Sequence, residues 1–136
     1  MKFFSLSYFA IGALAQGIYV ASPPAGALLA LGETFVVQVV RPNFILRATE
    51  IGLAIGLVSC PNGTCPPPTS QLGSVLYHGP FDPQYHGPGQ QYENFTVQVP
   101  INFQPGPASI QVARFFLIGA GSTPTIGDAH QPVLIH

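Results

Sequence analysis

Asn94-Phe95-Thr96-Val97-Gln98-Val99 decides how the chain folds. Phe95, Val97 and Val99 alternate with Asn94, Thr96 and Gln98, the period of two that a half-buried strand needs because successive side chains leave by opposite faces. This reading puts Phe95, Val97 and Val99 in a core and turns Thr96 and Gln98 toward water. Thr34–Arg41 repeats the pattern with Phe35, Val37 and Val39 on one face, and only Gln38 interrupts the other, so that second face is expected to be partly covered. Ser109–Ile118 starts by alternating and then becomes continuously apolar, a change that a bulge near Arg114 would produce. Further strands are expected at Ile18–Ala21, Thr49–Ser59, Leu72–His78 and Gln131–Ile135, with Tyr92–Val99 enclosing the deciding stretch. No segment sustains a helical period, and 15 prolines and 15 glycines punctuate the chain at strand-length intervals. About seven short strands separated by turn signals make the chain all-β, and an immunoglobulin-like β-sandwich is the expected architecture. There is no Trp and no long-range cysteine pair of the antibody kind, so the likeness is architectural. A small closed barrel is the alternative.

The amino end sets the compartment. Lys2 precedes the apolar run Phe3–Leu14, and Ala13-Leu14-Ala15 offers small residues at the cleavage positions. A signal peptide over residues 1–15 is expected, followed by one domain over residues 16–136 that begins at Gln16. The apolar run is shorter than the ~20 residues a membrane-spanning helix needs, and Ser22-Pro23-Pro24 would break any continuation. The carboxyl end, Pro132-Val133-Leu134-Ile135-His136, carries no apolar tail, so neither membrane insertion nor a lipid anchor is expected. Once Lys2 has left, Arg41, Arg47 and Arg114 stand against Glu33, Glu50, Asp82, Glu93 and Asp128. So sparse a balance gives nucleic acid nothing to hold. A chain that is 47% hydrophobic can nevertheless bury a core.

Cys60 and Cys65 flank Pro61-Asn62-Gly63-Thr64. Asn-Gly favours a tight turn, and a secretory route favours a disulfide, so the two cysteines are expected to form a local staple. Two cysteines without a matching pair argue against zinc. Tyr77-His78-Gly79-Pro80 recurs as Tyr85-His86-Gly87-Pro88, which invites copper, since imidazole suits that metal. Pro80 and Pro88 lack the amide protons such a site would use, and solvated histidines in a Gly/Pro-rich loop are the preferred reading. No metal and no cofactor are expected. Gly119-Ala120-Gly121-Ser122 is neither a nucleophile elbow nor a phosphate loop, because no Gly-x-Ser-x-Gly occurs and neither a Lys nor a helix follows. The five carboxylates are scattered, and no catalytic activity is expected. Asn62-Gly63-Thr64 and Asn94-Phe95-Thr96 are N-glycosylation sequons, with Asn94 the better placed on a polar strand face.

Four stretches carry a family resemblance. They are Ile51-Gly52-Leu53-Ala54-Ile55-Gly56, Leu72-Gly73-Ser74-Val75-Leu76-Tyr77-His78-Gly79-Pro80, Asn94-Phe95-Thr96-Val97-Gln98-Val99-Pro100 and Phe116-Leu117-Ile118-Gly119-Ala120-Gly121-Ser122-Thr123-Pro124. In this order and spacing the chain resembles the fungal necrosis-inducing secreted protein (Nis) effector family. It departs from that pattern at Phe116-Leu117-Ile118-Gly119, where a Ser-Leu-Tyr-Gly stretch is expected, and in the Cys60–Cys65 loop and the segment from His78 to Gln91. The resemblance implies a secreted effector that binds host immune-receptor-associated kinases, suppresses plant immunity or induces cell death, and does so without catalysis. The alternative is a secreted fungal cell-wall or matrix protein with no host target. A monomer is expected. Arg41, Arg47, Arg114 and Tyr85 are the candidate interface anchors, since binding hot spots favour Arg and Tyr. Lys2 is the only lysine, so a mature chain that entered host cells would offer no lysine for ubiquitin tagging.

Overall fold

A computed structural model describes residues 17–43 and 47–136. The expected signal peptide and Gln16 lie outside the described residues. Among the described residues eight strands follow one another: β1 (Tyr19–Ser22), β2 (Ala27–Leu29), β3 (Thr34–Arg41), β4 (Ala48–Ser59), β5 (Ser74–Gly79), β6 (Gln91–Gln98), β7 (Gly106–Ile118) and β8 (Thr123–Ile135). They form a three-stranded sheet in the order β1-β3-β6 and a five-stranded sheet in the order β2-β8-β7-β4-β5. All pairings are antiparallel except that of β2 with β8. The chain changes sheets at the cis Ser22-Pro23 bond, leaving β1 on β3 and placing β2 beside β8. This is the immunoglobulin-like sandwich expected from the sequence, with one strand more.

The two sheets share one apolar interior. Phe35, Val37 and Val39 of β3 and Phe95 and Val97 of β6 face Leu53, Ile55 and Leu57 of β4, Ala108, Ile110 and Val112 of β7, and Val133 and Ile135 of β8. Val37, Val39 and Val99 are wholly buried, while Thr96 and Gln98 are exposed, as the alternation requires. The second face of β3 is partly covered too: Val40 is buried, whereas Val36 is exposed.

Two expectations are corrected. The three-residue β2 lies between Gly26 and Ala30, where no strand is expected from the sequence, and its partner β8 is about a hundred residues away. β8 also begins at Thr123 rather than Gln131, despite Pro124 and Pro132. Pro132 lends its carbonyl to the amide of Gly26, away from β7, and Pro124 lies an even number of residues earlier. Both missing N–H groups therefore fall on the edge that β7 does not use.

The bulge lies on a different strand. β7 pairs with β8 without a shift from Gly106 to Ile118, and its even-numbered residues face inward throughout, Arg114 included. The irregularity sits opposite, in β4, where Glu50 pairs with Phe116 and Gly52 with Phe115, leaving Ile51 as the extra residue. One added residue reverses the phase of a strand. Ile51 is thereby exposed and the Glu50 side chain is turned inward, at 6% exposure.

Candidate functional site

Three connections emerge at one end of the sandwich. Arg41 at the end of β3 pairs with Gln91 at the start of β6, Ala48 at the start of β4 with Ile118 at the end of β7, and Ile118 with Thr123 at the start of β8. Asn43 after β3, Arg47 before β4, and the segments that join β5 to β6 and β7 to β8 therefore meet there. They are tied to one another. The Tyr85 hydroxyl donates to Asn43 Oδ1 (3.0 Å), and the Asn43 amide donates to Gln90 Oε1 (2.7 Å). The Gly119 amide donates to the Arg47 carbonyl (2.9 Å). Tyr85 and Arg47 are exposed on this platform.

Beneath it lies a charged network that joins the sheets. Glu50 Oε2 accepts from Arg41 Nη1 (2.9 Å) and from Arg114 Nη2, and Glu50 Oε1 accepts from Arg114 Nε (2.8 Å). Arg41 also donates to Gln91 Oε1, and the Arg114 guanidinium lies 3.6 Å above the centroid of the Phe116 ring. Arg114 is wholly buried, so of the four candidate anchors it is an internal strut rather than a surface group, and Arg41 is only partly exposed. Of the four candidates, Arg47 and Tyr85 are the ones exposed at the surface. At the root of the β5–β6 connection Tyr77 packs against Phe95, with ring centroids 4.6 Å apart, and donates its hydroxyl proton to the Pro80 carbonyl (2.5 Å). Burial, reinforced by the nearby charge of Glu93, raises the Tyr77 phenol above its usual value.

The outer face of the five-stranded sheet is divided. A loop running from Cys60 to Gly73 covers one half. Gln111, wholly buried on that face, donates to the carbonyls of Pro66 (2.8 Å) and Gln71 (3.2 Å) and accepts from the Ser109 hydroxyl (2.8 Å). Gly56 lets the loop approach, because a Cβ there would stand 2.1 Å from the Leu72 carbonyl oxygen. The Cys60–Cys65 disulfide closes the loop's start as expected, and the Asn-Gly turn forms inside it with Asn62 and Gly63 both at positive φ. The uncovered half is a shallow apolar groove of about 560 Å³ walled by Ile51, Ala54, Ala113, Phe115 and Ile126.

The remaining candidates fall apart in space. His78 lies opposite Ala54 on β4 of the five-stranded sheet, while His86 stacks on Tyr92 of the other sheet with ring centroids 4.0 Å apart. Among the described residues no three His, Cys, Asp or Glu side chains converge as metal ligands. Asn62 and Asn94 are both exposed. Sequence reasoning missed Asn43, Gln90, Gln111 and Glu50. Each works through a partner at least 40 residues away or, for Glu50, also through a bulge, and no local pattern marks such a role.

Fold and site together define a small immunoglobulin-like sandwich with a tied loop platform at one end. The chain belongs to the Nis1 family, whose sequence profile it matches over residues 13–133. Membership makes it an effector-type protein of the fungal kind. No curated protein matches it.

Proposed function

We propose that this protein is a secreted effector that binds a host protein through its loop platform and acts by occupying that surface, without catalysis. The partner class is the one the family resemblance implies, a kinase associated with immune receptors, and the outcome is suppressed plant immunity or cell death. The cross-tied platform carrying exposed Tyr85 and Arg47 supports this reading. Loops held by hydrogen bonds lose little freedom on binding, and Tyr and Arg are the side chains that most often dominate interfaces. The Cys60–Cys65 disulfide suits passage through an oxidising secretory route, with the extracellular space as the site of release and host cells as the site of action.

The test is retention of a host kinase on the immobilised secreted protein. One-to-one retention is expected, with Tyr85→Ala and Arg47→Ala each weakening it about tenfold or more. Unchanged retention by both variants would move the interface off the platform. Retention of fungal wall polysaccharide in place of any host protein would favour a wall or matrix role.

A further inference from the structure

We infer that Asn94 carries an N-linked glycan whose task is to guard the open edge of β6; the inference rests on the secreted reading above. Four strands lie at sheet edges, and β8 adds an open edge where it runs past the three-residue β2; all but β6 are protected by their own geometry, β8 by Pro124 and the charged Asp128. β1 and β2 have only four and three residues. β5 is broken by a register shift opposite Ile55 and Gly56 and is followed by Pro80. Short strands, irregularities and prolines are the devices that stop an edge from pairing with another chain.

β6 has none of them. It runs eight residues in unbroken register with β3, without a proline, and its one charged side chain, Glu93, is occupied by the Asp82 amide. Tyr92 turns its N–H and C=O away from β3, toward Gln84, in two bonds of 3.1 Å. At the other end Val99 exchanges backbone bonds with Glu33 and Gly32 on the β3 side. A period of two then fixes the rest: Asn94, Thr96 and Gln98 point their backbone polar groups at the open edge. Gln84 covers only Tyr92. The next two residues with open backbone groups are the Asn and the Thr of the sequon.

The side chain is set for the reaction. Asn94 Oδ1 accepts from Gln38 Nε2 (3.0 Å), and Nδ2, the atom that is glycosylated, is left toward solvent. In the transfer, C1 of an oligosaccharide bonds to Asn94 Nδ2 and the C1–O bond to a lipid pyrophosphate breaks. The lipid pyrophosphate leaves, and Nδ2 gives up one proton. Nδ2 keeps its second hydrogen and Oδ1 keeps its bond to Gln38. With only 7% charged residues the chain has few other means of keeping an edge apart from its copies. Asn62, in a disulfide-closed turn, guards no edge.

The full chain is expressed in a eukaryotic secretory host and the medium is analysed by mass before and after treatment with a peptide N-glycosidase. One glycan is expected on the wild type and on Asn62→Gln, and none on Asn94→Gln or Thr96→Ala. By light scattering the two unglycosylated variants should associate as concentration rises, and so should wild type trimmed to one sugar after folding. Asn94→Lys, which has no sequon but puts a charge at the same place, should stay monomeric. Secreted protein without sugar at Asn94 would overturn the modification and leave secretion standing, whereas a chain that never reaches the medium would count against both. Monomeric Asn94→Gln and Thr96→Ala would overturn the guarding role.

Discussion

Glu50 holds two guanidinium groups with one carboxylate. Arg114 is wholly buried and the Glu50 side chain nearly so, while Arg41 approaches from the other sheet. Such a network is not a large source of stability, because desolvating three charged groups offsets much of their attraction. It does make the arrangement unforgiving. Removing the shared anion leaves two facing cations, one of them with no access to water. Glu50→Gln is therefore expected to cost about 3–5 kcal/mol in chemical denaturation, far more than a typical polar change. Because Arg41 also reaches Gln91, the variant should loosen the adjoining loops first, seen as faster amide exchange at Asn43 and Tyr85. A loss below about 1 kcal/mol would mean that the network contributes no more than an exposed ion pair does.

At the scale of the strand, β6 gives the sharpest test. Val97 is buried between the sheets and Thr96 is exposed one residue away. Val97→Ala should cost about 1–3 kcal/mol in unfolding measurements, combining lost transfer energy with a cavity. Thr96→Ala should be nearly neutral for a singly dispersed sample. The opposite ranking would mean a register wrong by one residue. β3 and β6 were legible in the sequence because alternation is a local signal, and the disulfide was legible because its two cysteines enclose their own turn. β2 was not, since three residues carry no period and their order comes from a distant strand. The inward arginine was misread for a related reason. Local sequence around Arg114 looks like a broken pattern, whereas the strand is regular and its counterion stands 64 residues earlier on a bulged partner. The platform was legible only in part: Tyr85 and Arg47 read as surface groups, but the ties through Asn43 and Gln90 did not.

The whole molecule, if it passes from an oxidising secretory route into a reducing host interior, must keep its fold when Cys60–Cys65 is reduced. Cys65 is exposed, so a reductant can reach the bond. The disulfide closes a ring of six residues, which the chain-entropy model values at about 2 kcal/mol. That figure is an upper bound here, because Pro61 and the Asn62-Gly63 turn already restrict the unfolded ring. The loop also has holders that reduction does not touch. Cys60 donates its backbone N–H to the Pro107 carbonyl (2.9 Å), Gln111 grips the carbonyls of Pro66 and Gln71, and Leu72 rests on Gly56. None of the inter-sheet core depends on the sulfurs. Reduction should therefore lower Tm by roughly 5–10 °C or less and leave the loop protected from amide exchange. Gln111→Ala in the oxidised protein should do more harm. It strands the carbonyls of Pro66 and Gln71 and leaves the Ser109 hydroxyl only the longer bond to the Ile110 carbonyl (3.4 Å), at about 1–3 kcal/mol for each group that water cannot reach. The two effects are separable by thermal melting with and without dithiothreitol. If reduction unfolds the wild type at ambient temperature while Gln111→Ala melts normally, the disulfide rather than the glutamine holds the loop, and action inside a reducing compartment is ruled out for this fold.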